Sequence, residues 1–85
     1  MPVHVTIDVG SKDEAELIAA ALPGEPRATS RRGYGVIRLR LRNKQEIDPL
    51  LPILADCVDR HRLSWARLRF GDEERMFRTS RARAS

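Results

Sequence analysis

Arginine recurs at every second position in two segments, as Arg38, Arg40 and Arg42 in VIRLRLR and as Arg67 and Arg69 in WARLRF. A guanidinium is permanently charged and carries its donors in a planar fork matched to phosphate and carboxylate. The chemistry these residues offer is therefore anion binding. Five like charges on one small surface repel one another and require a counter-charge. It can come from nucleic acid, from an acidic protein surface, or from acids of the chain itself. Tyr34 and Trp65 fall at the same parity as the arginines. Aromatic rings among cations suit single-stranded nucleic acid, because a base stacked on a ring contributes about 1–3 kcal/mol.

Other reactive residue types do not assemble into a catalytic set. Cys57 and His61 lie four apart, a helical spacing that can hold a metal. There is no second cysteine to complete such a site, so a packed thiol and a helix-end histidine account for the pair. Ser11 and Ser64 have no neighbouring His/Asp arrangement to activate them. Gly33-x-Gly35 precedes a strand rather than opening a helix, so it serves a turn and not a dinucleotide phosphate. No cofactor and no metal are expected, and the chain reads as non-enzymatic.

The arginines need strands to project them. With side chains alternating between faces, the segments containing them present one apolar and one cationic face. VHVTIDV over 3–9 alternates in the same way, with Val3, Val5, Ile7 and Val9 on one side and His4, Thr6 and Asp8 on the other. Ser11 with Glu14 forms a capping box before a helix over 12–22, ended by Pro23-Gly24. Asp48-Pro49 starts a second helix that carries Leu50, Leu51, Leu54, Ala55 and Val58 to about residue 61. Residues 27–33 are either a loop or a short edge strand turning at Arg31-Arg32-Gly33. Gly71–Glu74 read as a turn, followed by a short strand over 75–77.

This order predicts an α+β two-layer sandwich of ferredoxin-like βαββαβ type, or βαβαββ if 27–31 is a loop, with both helices on one sheet face. The expected core is Val3, Val5, Ile7, Ile18, Leu22, Ile37, Leu39, Leu41, Leu51, Leu54, Val58, Leu68 and Phe70. The other face is open and carries His4, Thr6, Asp8, Tyr34, Val36, Arg38, Arg40, Arg42, Trp65, Arg67 and Arg69. One domain is expected over 1–77, followed by a basic disordered tail over 78–85.

Two resemblances touch this face. Residues 32–39, RGYGVIRL, resemble the central octapeptide of RNA-recognition motifs. Arg32, Gly33, Tyr34, Gly35 and Ile37 match it, whereas Val36 and Leu39 stand where that family has aromatic residues. In that family's companion motif on strand one, His4 takes the aromatic position. The resemblance implies stacking of RNA bases on the open sheet and covers about eight residues. Asp8, at the end of strand one of a small basic α/β chain, loosely resembles the metal-bound aspartate of compact CRISPR-associated nucleases with ferredoxin-like folds. That match is a single residue and a general topology.

Charge points the same way only when divided by region. The net charge is +4, but Arg78, Arg81 and Arg83 lie at the end, leaving 13 basic residues against 12 acidic ones over 1–77. Segregation matters more than the total. Acids gather in the helices and the Asp72–Glu74 turn, arginines on the strands and the tail. No apolar run approaches the roughly 18 residues a bilayer requires, so no membrane partner is expected. MPVHVTIDV lacks a basic region followed by an apolar block, and a single cysteine suits a reducing compartment, so a cytoplasmic location is expected. The sequence thus reads as a small binding module that uses Tyr34, Arg38, Arg40, Arg42, Trp65, Arg67 and Arg69 to hold single-stranded RNA or DNA. The alternative is a homodimeric adaptor or assembly protein whose arginine face meets an acidic protein surface. The basic tail would add salt-sensitive affinity for nucleic acid.

Overall fold

A computed structural model describes residues 2–78. Five strands form one antiparallel sheet: β1 (Val3–Val9), β2 (Arg27–Arg31), β3 (Tyr34–Leu41), β4 (Trp65–Phe70) and β5 (Glu73–Arg78). Helix α1 (Lys12–Ala21) joins β1 to β2, and helix α2 (Leu50–Arg60), preceded by a 3-10 turn over Lys44–Ile47, joins β3 to β4. The sheet order is β2-β3-β1-β4-β5. This is a small α+β domain compatible with a two-layer sandwich. The strand β5, added at the β4 edge, gives an order that differs from that of a four-stranded split unit.

The apolar parity of each strand meets the apolar stripe of each helix. Val5, Ile7, Val9, Ile37, Leu39, Ala66 and Leu68 form one cluster with Ala15, Ile18 and Leu22 of the α1 region and with Leu50, Leu54, Cys57 and Val58 of α2. Of the expected core, Val3, Leu51 and Phe70 are only partly buried and pack against its margin. Ile47 and Leu63 join it from connecting segments, where no periodicity marks them.

Local chemistry sets most boundaries. The Ser11 hydroxyl accepts from the Glu14 N–H at 3.2 Å, the N-cap half of the expected capping box, while the Glu14 carboxylate accepts from that hydroxyl at 3.2 Å instead of from the Ser11 N–H. Residues 27–31 are a strand, the second of the two readings, and a two-residue turn follows it. Arg32 (φ 53) and Gly33 (φ 88) both adopt left-handed backbone, and Arg31 pairs with Tyr34. Two successive positive φ values match the twist of a hairpin. The second helix starts one residue later than expected, with Pro49 at its N-cap and Asp48 closing the 3-10 turn. The final turn is shorter than expected, because Glu73 and Glu74 already pair with Phe70 and Arg69. The basic segment expected to be disordered lies, from residue 79 on, outside the described residues.

Helix α2 ends in a Schellman motif. The Leu63 N–H donates to the Val58 carbonyl at 2.9 Å, and the Arg62 N–H to the Asp59 carbonyl at 3.4 Å. Arg62 sits at φ 54, in the left-handed region where a side chain is penalised. Its side chain is exposed. Arg62→Gly is therefore expected to stabilise the domain by about 1 kcal/mol and raise the melting temperature by roughly 4–8 °C, as read by circular dichroism.

Candidate anion-binding face

The sheet face away from the helices is built in rows by the strand register. One row runs Arg27, Arg38, Thr6, Arg69, Glu74, the next Thr29, Val36, Asp8, Arg67, Met76. Beyond them, His4 lies opposite Arg40, Arg31 opposite Tyr34, and Trp65 opposite Arg78. Seven arginines thus share a face with two carboxylates, Asp8 and Glu74.

Five of these seven arginines form two populations, while Arg31 and Arg78, at the Trp65 end of the face, are exposed and make no ion pair among the described residues. Arg67 and Arg69 converge on Asp8. Arg67 donates from Nε at 3.1 Å and from Nη2 at 2.9 Å to Oδ2. Arg69 Nε lies 2.9 Å from the same oxygen, and its Nη2 donates to Oδ1 at 3.3 Å. Asp8, expected on the open face, has the parity for it but is 0% exposed, because these guanidiniums lie over it. A carboxylate so enclosed must be paired and hydrogen-bonded to remain charged. Val36 beside it is also buried although it faces outward, and it lies outside the main core. Asp8 therefore balances only the β4 arginines, as a held counter-ion rather than an open metal ligand. Arg67 and Arg69, expected on the anion-binding face, lie there and each commit two nitrogens to Asp8.

Arg27, Arg38 and Arg40 form the second population. All three are exposed, and none makes an ion pair among the described residues. Arg27 stands directly across from Arg38, a like-charge pairing that costs stability unless an anion intervenes. Together with His4, Thr6 and Glu25 they line an open depression of about 410 Å³.

The remaining expected site residues are dispersed. Arg42 lies past the end of β3, where its N–H donates to the Glu46 carboxylate, and it shares a second depression with Arg40. Tyr34 and Trp65 are both half-buried, at the same end of the sheet. Sequence reasoning missed Arg27 and Arg31, carried by the segment read as loop or edge strand, and Arg78, assigned to the tail. The alternation of Arg27, Thr29 and Arg31, and of Glu74, Met76 and Arg78, was the available signal.

The glycines of the RNA-recognition-like octapeptide have local explanations. Gly33 supplies the turn. Gly35 faces α1, and a Cβ there would fall on the Ser11 carbonyl and within 2.8 Å of the Ala15 Cβ. Cys57 is buried in the core, and desolvation, then the Asp56 charge, push its thiol pKa up against a smaller opposing effect of Arg60. His61 is exposed at the end of α2. Among the described residues no group of three His, Cys, Asp or Glu side chains is placed to hold a metal, and no helix is long and apolar enough to cross a membrane.

Fold and face together define a small α+β domain with a cationic sheet surface. Comparison with protein-family models, with curated proteins and with solved structures finds no match for this chain.

Proposed function

We propose that this chain is a non-enzymatic module that binds single-stranded nucleic acid across its open sheet face. The observation that carries this reading is the trio Arg27, Arg38 and Arg40, exposed, adjacent and without carboxylate partners among the described residues. The chain satisfies two of its sheet arginines with a buried aspartate and leaves these three, clustered in one depression, to an external anion, as it leaves Arg31 and Arg78 at the other end. A polyanion supplies successive phosphates at low cost, since binding releases its condensed counterions. Face-to-face pairing with a second copy is disfavoured, because it would set seven arginines against seven with two carboxylates on each side.

The fold reading consistent with this is a ferredoxin-like split unit extended by β5. In its support, β1 and β2 run parallel with β3 between them, and β3 and β4 run parallel with β1 between them. Each of these pairs is joined through one helix.

Fluorescence anisotropy with labelled single-stranded DNA and RNA, at about 50 and 200 mM salt, tests the proposal. Binding is expected to fall steeply with salt. Replacing Arg27, Arg38 and Arg40 by glutamine should weaken it at least about tenfold and flatten the log–log salt dependence by about 2, near 0.7 per lost phosphate contact. A control that removes two charges away from the face, Arg60→Gln with Arg62→Gln at the end of α2, should leave that slope unchanged. Absence of binding at low salt would overturn the proposal and leave an acidic protein surface as the anion.

A further inference from the structure

The far end of the same face carries a compact block of four side chains. Trp65 and Arg67 on β4 stand opposite Arg78 and Met76 on β5, so apolar and cationic groups alternate around a square. Together with Ser64 they line an open depression of about 480 Å³. Met76 is 51% exposed, one of only two large apolar side chains so exposed among the described residues. No carboxylate lines the depression. Arg67 commits Nε and Nη2 to Asp8, which fixes its plane and leaves its Nη1 donors uncommitted.

We infer that this block is a nucleotide subsite, with one base against Trp65 and Met76 and its phosphate on Arg67 and Arg78. The inference rests on the nucleic-acid reading and assigns where a base is held. Each side chain suits one part of that ligand. An indole offers a stacking surface, a thioether packs favourably against an aromatic edge, and guanidiniums bind phosphate. The two cations argue against a purely apolar occupant, and the half-buried ring argues against an inorganic anion alone. Asp8 acts here as a positioning residue, holding Arg67 where its outer donors can meet the ligand. The Arg27–Arg38 row lies about 13 Å along the strands from Trp65, and β3 lies about 10 Å across from β4. A mononucleotide is too short to occupy both places, whereas an oligonucleotide can bridge them.

Trp65 is the single tryptophan of the chain, so its fluorescence reports this subsite without any substitution. A single-stranded thymidine decamer should quench it on binding, and an abasic decamer of equal charge should not. Trp65→Leu and, separately, Met76→Ala should weaken the thymidine decamer, Trp65→Leu by roughly 5- to 100-fold. Both should leave the salt slope and the affinity for the abasic decamer unchanged. Unquenched Trp65 fluorescence in a saturated complex, with both variants binding as the parent does, would overturn the subsite. If the Arg27/Arg38/Arg40 variant still lost affinity in that case, the broader function would stand. Failure of every oligonucleotide to bind the parent protein would overturn both.

Discussion

Replacing Arg67 and Arg69 together by glutamine is expected to destabilise the domain by about 2–4 kcal/mol, far more than the sum of the two single changes. Asp8 is fully buried and takes its side-chain partners from these two residues. Either arginine alone still gives the carboxylate a counter-ion and hydrogen bonds, so each single variant should cost about 0.5 kcal/mol or less. Losing both leaves a buried charge without a counter-ion, a change that typically costs about 3–5 kcal/mol. The figure is lowered here because the arginine side chains are 36% and 45% exposed, so water can partly replace them. Urea denaturation of the two singles and the double gives the coupling directly. Additive losses would show that Asp8 finds another partner or rehydrates. A triple apolar replacement of Asp8, Arg67 and Arg69 should recover most of the stability, since an absent charge needs no partner.

Gly35→Ala should lower stability by about 3 kcal/mol and the melting temperature by more than about 10 °C. In an open strand this substitution would be mildly favourable, because alanine has less unfolded-state entropy to lose. Here the added methyl would meet the Ser11 carbonyl and the Ala15 side chain, where α1 begins. Ser11 is the helix cap, its carbonyl accepts from the Ala15 N–H at 3.1 Å, and Ala15 is buried in the core. Neither can move without disturbing the cap or the packing of α1 on the sheet. An unchanged or raised melting temperature would show that the helix start slides freely over β3.

These two residues also show where reading the chain stops. The strand alternation in VHVTIDV and YGVIRLRL, the capping box at Ser11 and the stripe through Leu50, Leu54 and Val58 are local patterns. Each is carried by residues two to four apart, and local sterics and hydrogen bonding turn it into structure. From them followed two helices on one sheet face and arginines on the other. The short edge strands were harder to read. Residues 27–31 have only Ala28 and Ser30 on the inward side, and β5 has Glu73, Arg75 and Phe77 there, so the core contributes little signal.

The sequence by itself determined which side chains share a face, because parity along a strand is a property of the covalent chain. Only the tertiary structure decided which strands are neighbours, since pairing joins residues dozens of positions apart. That pairing placed Asp8 opposite Arg67 rather than beside Arg38, and Arg27 opposite Arg38. It thereby separated the arginines that hold the protein's own carboxylate from those left to an outside anion. It also brought Met76 and Arg78 beside Trp65, and pressed Gly35 against the start of α1. Buried carboxylates take the nearest cation the sheet provides, and strand order chooses that cation.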